Sequence, residues 1–286
     1  MGGNTKHLVF SVCVAFMLCA FASVASARTI YVPDDYLKIQ WAVDNASDGD
    51  MIIVRDGIYY ESITVSKHLT IKSENGHANC IVNGSWWLDV FKLEADGIRI
   101  EGFTITGGRY GIYILSNKNM IINNIISSNN FDGIHLRDSN NNGISENIIR
   151  SNKWNGICLD YSNNNSISNN NISLNDLGIE LYHSNNNSIS DNIISSNNWG
   201  IFLRYSKNNS ISKNNISSNN DDGICLGYSN NNSISNNKIR SNYFGIDLSY
   251  SNNNSISENI ISLNDNGIVI WFSNNNIIYM NNFINN

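Results

Sequence analysis

The side chains able to do chemistry in this sequence fall at two fixed distances behind a recurring glycine. Tyr113, His135, Glu180, Phe202 and Asp247 stand two residues after Gly111, Gly133, Gly178, Gly200 and Gly245, and Arg137, Asp160, Tyr182 and Arg204 stand four residues after Gly133, Gly156, Gly178 and Gly200. Rings of this kind stack on the flat faces of sugars, carboxylates accept hydroxyl hydrogens, and arginine pairs with the carboxylates of uronate units. Asp160 and Glu180, one repeat apart, make a candidate acid/base pair, with His135, Arg137 or Arg204 in reserve for proton abstraction or charge neutralisation. His135, Cys158 and Glu180 also have the donor types of a soft-metal site. A stacked trio with no partners to orient the ligands nevertheless predicts no metal and no cofactor. The opposing reading is that outward positions of a repeat protein are simply unconstrained.

What must position these residues is the repeat itself. A unit of 22 or 23 residues recurs from Gly111 through Gly133, Gly156, Gly178, Gly200, Gly223, Gly245 and Gly267. Periods of this size belong to solenoids. Each unit offers Ile at Gly+1, Leu or Ile at Gly+3, Ile at Gly+11 and Ile or Phe at Gly+16, with no stretch that favours helix. Three short β-branched segments separated by Asn, Ser and Gly corners predict one three-sided coil per unit, stacked at about 4.8 Å on the next. The expected fold is all-β, a right-handed parallel β-helix. Alternation along the first segment turns Gly+1 and Gly+3 inward and Gly+2 and Gly+4 outward.

Stacking also explains the abundance of Asn and Ser. Identical residues on successive coils form ladders, one through Asn147, Asn170, Asn192, Asn214, Asn237 and Asn259, a second through Asn152, Asn175, Asn197, Asn219, Asn242 and Asn264, and a third through Ser139, Ser162, Ser184, Ser206, Ser229 and Ser251. The ladder asparagines are expected to take up the left-handed backbone of the corners. The Asn-x-Ser sequons at Asn164, Asn186, Asn208, Asn231 and Asn253 follow from the N-N-N-S corner, and a ladder role is expected for them ahead of glycosylation. Ile144, Ile167, Ile189, Ile211, Ile234 and Ile256 are expected to fill the bore. A further ring column, Tyr161, His183, Tyr205, Tyr228, Tyr250 and Phe272, should stack at the coil spacing.

The chain begins with Lys6, an apolar run from Leu8 to Ala22 and the small-residue site Ala25-Ser26-Ala27, the pattern of a secretory signal peptide over residues 1–27. No later segment is apolar enough to span a bilayer, so a secreted location is expected, extracellular, cell-surface or periplasmic. Cys80, Cys158 and Cys225 remain after the leader. Cys158 and Cys225 share a column three coils apart, about 14 Å at β spacing, which predicts free thiols. A net charge of −6 argues against nucleic acid as a partner.

Residues 28–110 differ from the regular coils of 111–286. Ile39, Val43 and Ala46 share one helical face, and a short helix there would plug the open end of the bore, where unpaired strand edges need cover. The run T-I-Y-V-P-D-D-Y-x-x-I-Q-x-A-V-D-N-A-x-x-G-D-x-I-I-V-x-x-G-x-Y-x-E, Thr29 to Glu61, followed by G-I-x-L and Asn-rich coils, resembles the secreted pectin-lyase-like β-helices, and more narrowly the NosD-type and carbohydrate-binding and sugar-hydrolysis repeat proteins. That resemblance implies the fold. It leaves activity open, because such folds carry lyases, hydrolases, epimerases, adhesins and a copper-maturation factor. Asn219-Asn220-Asp221-Asp222-Gly223 has the paired aspartates of polygalacturonases without their companion segments, Phe131-Asp132-Gly133-Ile134-His135 only partly matches an epimerase segment, and no Met-rich or His-rich tract suggests copper handling.

The expected function is binding of a polysaccharide or other extended surface ligand along the outward stripe, without catalysis. The alternatives are a polysaccharide lyase, hydrolase or C5-epimerase, a purely structural surface protein, and a NosD-type maturation factor. The last segment, Asn281 to Asn286, is the third side of a coil with no cap after it, from which either a truncated sequence or end-on association with another subunit or partner is expected.

Overall fold

The structure is a computed structural model that describes residues 27–286; all of the expected leader except Ala27 lies outside the described residues. The chain winds into a parallel β-helix with three sheets. The first sheet has ten strands, from Ile63–Val65 to Asn266–Trp271; the second has twelve, from Thr29–Val32 to Ile277–Tyr279; the third has eleven, from Gly57–Tyr60 to Asn282–Ile284. A single coil is Ile134–Arg137, Gly143–Ser145 and Ile148–Arg150, one strand in each sheet. Among the described residues no helix is long and apolar enough to cross a membrane.

The expected columns are in register. Ile134 pairs with Ile157 and Leu136 with Leu159 in the first sheet, Ile144 with Ile167 in the second, and Ile149 with Ile172 in the third. All of these side chains are fully buried, so each coil adds aliphatic surface from all three sides to one continuous core. Cys80, Cys158 and Cys225 are buried and free, as expected.

The corners correct the sequence reading in two ways. First, the ladder asparagines do not carry the left-handed backbone. The residue before each one does: Glu146 (φ 60°), Ser151 (φ 55°), Asn169 (φ 57°) and Leu174 (φ 59°) precede Asn147, Asn152, Asn170 and Asn175. The reversal at that residue frees the next one to turn its amide inward. Asn170 then donates its backbone N–H to Asn192 Oδ1 (2.9 Å) and its Nδ2 to Ile144 O (2.9 Å) and Asn192 Oδ1 (3.0 Å). Second, the N-N-N-S corner builds a third asparagine ladder, Asn142, Asn165, Asn187, Asn209, Asn232 and Asn254, each buried. The sequon asparagines stand one residue earlier and belong to no ladder.

The cap helix runs Ile39–Asn45, with Ile39, Ala42 and Val43 buried over the first coils; Ala46, expected on the same helical face, is buried but stands past the helix end in extended backbone. It has no local side-chain cap, and charges from the β-helix serve both ends. Glu61 accepts the N–H groups of Ile39 and Gln40, both at 3.0 Å, while Lys67 Nζ donates to the carbonyls of Val43, Asp44 and Ala46 at 3.0, 2.8 and 2.7 Å. An anion at the helix start and a cation at its end both oppose the helix dipole. Glu61→Ala should therefore cost about 1–2 kcal/mol, read as a selective loss of amide exchange protection over residues 39–45 while the coils keep theirs.

Candidate functional site

The outward columns of the first sheet are assembled by strand register. Tyr113, His135, Cys158, Glu180, Phe202, Cys225 and Asp247 are successive neighbours in one column, and Arg137, Asp160, Tyr182 and Arg204 in the next. They do not act as one uniform stripe. His135, Asp160, Glu180 and Tyr182 line a cleft of about 280 Å³ together with Tyr110, Asp132, Trp154, Asn155 and Cys158. Tyr113 lies beside it, its ring 5.4 Å from that of His135. Arg137 is exposed outside it. Arg204 sits farther along, 5.8 Å from the Tyr182 ring and 5.5 Å from the Tyr205 ring, while Phe202 packs edge-on to Trp199 at 4.8 Å. Asp247 joins a separate cluster.

Strict alternation hides the residue just before each glycine from a sequence reading. In the structure the strand pairing breaks at that glycine: Asn155 pairs with Leu177 and Ile157 with Ile179, leaving Gly156 outside the ladder. The break turns Asp132 onto the same side as His135, although three positions separate them. Asp132 is almost wholly buried; its Oδ2 lies 2.8 Å from His135 Nδ1, and its Oδ1 accepts the Asn155 N–H at 2.9 Å. Asn155 Nδ2 donates in turn to Glu180 Oε2 at 2.9 Å. A chain of contacts thus runs from His135 through Asp132 and Asn155 to Glu180 across three coils. The Tyr110 ring stacks on His135 at 4.8 Å and fixes the imidazole plane.

Burial dominates the electrostatics here. It raises the pKa of the Glu180 carboxyl, with the Asn155 amide working the other way and Asp132 adding to the rise. Burial likewise lifts Tyr110 to about 12, and Cys158 well above a free thiol. Oδ1 of Asp160 is buried without a hydrogen-bond partner. The cleft therefore presents an imidazole oriented by a carboxylate, a carboxyl whose pKa burial raises, an acceptor oxygen and several rings. Those groups can bind a hydroxylated ring, and the first two have the chemistry for moving protons.

A second cluster repeats the same offsets farther along. Asp222 precedes Gly223, Cys225 follows it by two, and Asp247 is the register partner of Cys225, just as Asp132, His135 and Cys158 are arranged around Gly133. In each trio the potential ligand atoms lie within 4.8 Å of one another. Burial pushes Asp222 up to about 7, while its contact with Cys225 opposes the rise and Asp221 and Asp247 add to it. A carboxyl raised on folding from 3.8 stabilises the fold fully below about pH 4, and that contribution disappears as the pH climbs through about 7. Asp222→Asn should therefore raise stability at pH 8 by roughly 2–4 kcal/mol and give no gain at pH 4, as thermal denaturation at the two values would show.

The ring column of Tyr161, His183, Tyr205, Tyr228, Tyr250 and Phe272 stacks as expected, with centroids 4.9 to 5.2 Å apart.

The family model described as "periplasmic copper-binding protein (NosD)" matches residues 43–215 and 185–286. A cell surface glycoprotein of Methanothermus fervidus is 35% identical over 127 residues, which is 43% of this chain and 21% of that protein. The chain thus spans about a fifth of the length of that relative. Among solved structures, the Dettilon tailspike protein superposes with a TM-score of 0.78 at 15% identity over 90% of this chain and 62% of that one. The A-module of the mannuronan C-5 epimerase AlgE4 of Azotobacter vinelandii gives 0.65 at 14% over 88% and 92%, and the periplasmic alginate epimerase AlgG 0.56 at 17% over 88% and 84%. At such identities these three share the fold.

Copper centres gather several thiolate, thioether or imidazole donors. The nearest approach among the described residues is Asp132, His135 and Cys158, which offers one imidazole and one thiol, with the imidazole already bonded to Asp132. That set is too poor in soft donors for a copper centre. With family-model matches covering residues 43 to 286 and the three-sheet parallel coil that the repeat demands, the chain belongs to the NosD family.

Proposed function

We propose that this protein is a secreted or cell-surface β-helix that binds a polysaccharide, or another extended glycan, along the outward face of its first sheet. The observation that carries this reading is the cleft at His135, Asp160, Glu180 and Tyr182, where rings and hydrogen-bonding acids meet on the face whose residues vary most from coil to coil. The Tyr182–Arg204 contact extends that face toward an arginine suited to acidic sugars. The surface location of the Methanothermus relative and the polysaccharide-modifying epimerases that share the fold support the same reading.

Binding of the purified protein to a broad glycan array, beside a variant carrying Glu180→Ser, Tyr182→Ser and Arg204→Ser, tests it. Ring and arginine anchors in a binding site carry enough energy that the variant should bind at least about tenfold more weakly, with an unchanged β-sheet circular dichroism spectrum. Equal binding by both proteins moves the site off this face. Binding by neither favours a structural surface protein.

Catalysis is the second reading, favoured by the His135–Asp132 pair standing in one cleft with the Glu180 carboxyl, whose pKa burial raises. Under that reading Glu180→Gln or Asp160→Asn abolishes cleavage or epimerisation of the bound glycan while the glycan still binds.

A further inference from the structure

On the corner between the first and second sheets, one asparagine per coil has no structural task. In the N-N-N-S segment around Asn164, the residue before it, Asn163, accepts the Asn185 N–H on its side-chain oxygen at 2.8 Å, and the residue after it, Asn165, belongs to the buried ladder. Asn164 itself is exposed, and its side chain makes no hydrogen bond to any described residue. The same holds at Asn186, Asn208, Asn231 and Asn253. Their backbone is left-handed, with φ of 57° or 58°, a conformation for which Asn is among the favoured residues.

That conformation does not account for the asparagines. The chain takes the same turn at its other corners with Glu146 (φ 60°), Leu174 (φ 59°), Lys213 (φ 58°) and Met280 (φ 55°). At this corner, however, it holds Asn in seven consecutive coils, from Asn141 to Asn275. In the five central coils a serine follows two residues later: Ser166, Ser188, Ser210, Ser233 and Ser255. None of their hydroxyls bonds to a described residue, and all but the half-buried Ser255 are exposed. An accessible, unbonded amide two residues before an unbonded hydroxyl is what an N-glycan acceptor requires.

We propose that Asn164, Asn186, Asn208, Asn231 and Asn253 form a column of N-glycosylation sites. The amide nitrogen attacks the anomeric carbon of an oligosaccharide carried on a lipid phosphate. The new N–C bond forms as the bond from that carbon to the phosphate oxygen breaks; the lipid phosphate leaves with the electron pair, and the amide gives up one proton. An oligosaccharyltransferase of the exporting cell supplies donor and catalyst. Successive acceptors stand one rung apart, about 4.8 Å, so a glycan on one coil shields its neighbours and occupancy along the column is partial. The column lies at a corner, which leaves the outward face of the first sheet clear.

The full chain, residues 1–286, is expressed for export in a bacterial host that carries an oligosaccharyltransferase and its lipid-linked donor, with an acceptor peptide appended at the C-terminus to report transfer. Peptide mapping by mass spectrometry should find glycan on several of the five asparagines. None should appear on Asn141 or Asn275, which share the turn but are followed two residues later by Gly143 and Ile277. Changing the five serines to alanine should remove the modification and leave the fold intact, because their hydroxyls hold nothing. A modified acceptor peptide beside a bare column overturns the proposal, as does glycan confined to the sequons outside it, at Asn45, Asn83, Asn171 and Asn215.

Discussion

Gly178→Ala will destabilise the β-helix by about 3 kcal/mol, whereas Gly143→Ala will leave it unchanged or slightly more stable. A Cβ on Gly178 would stand 2.5 Å from the Gly200 carbonyl oxygen, 2.7 Å from Ile194 Cγ2 and 3.2 Å from Asn197 Nδ2. The first of these is backbone of the next coil, the second a core side chain and the third a buried ladder amide. None can yield without disturbing the stacking of neighbouring coils. Gly143 meets nothing within 4 Å, and its equivalents in the next coils are Ser166 and Ser188. Thermal or urea unfolding of the two variants measures the contrast. Equal stability would mean that the recurring glycine answers some need other than space. A shift in backbone preference cannot explain the effect, because Gly178 does not have a positive φ.

Asn192→Ala should cost about 4 kcal/mol, and Asn186→Gly, six residues away, almost nothing. Asn192 accepts the Asn170 backbone N–H at 2.9 Å and the Asn170 side-chain amide at 3.0 Å, and it donates to the Ile167 carbonyl at 2.9 Å. Truncation strands the buried Asn170 N–H, at about 1–3 kcal/mol, and removes the other two bonds at roughly 1 kcal/mol each, the Asn170 side-chain amide keeping Ile144 O and Ser168 O. The loss falls on two adjacent coils, so in a solenoid it should appear as local opening around residues 165–195 before the rest of the rod unfolds. Hydrogen exchange resolves that sequence of events. Asn186 keeps its left-handed turn when glycine replaces it and has no side-chain bond to lose. A large effect there would show that the sequon column has a structural duty, which would also remove the ground for proposing it as a modification site.

The shape of the rod was legible in the sequence because each structural demand in a stacked coil is repeated. A single isoleucine at Gly+11 says little; six of them at matching positions, with Asn and Ser columns beside them, leave one geometry that buries the first and bonds the second. The Gly+2 and Gly+4 columns could be read for the same reason, since alternation holds within a strand and register carries it from coil to coil. The cap helix was visible through Ile39 and Val43, but not the means of holding it, because Glu61 and Lys67 lie more than 20 residues from the backbone groups they bond.

The sequence by itself determined the coil, its core columns and the face on which varied side chains gather, all consequences of local alternation multiplied by a fixed period. Only the tertiary structure decided which of those side chains work together. The pairing breaks at the recurring glycine, and that break turns Asp132 toward His135 and links Asn155 to Glu180. The same dependence on backbone direction separates Asn165, sealed in a ladder, from Asn164, left free beside it. In both places adjacent or nearby residues of like chemistry receive opposite roles, because one left-handed or unpaired residue redirects the chain, and a composition or a period cannot show which residue that is.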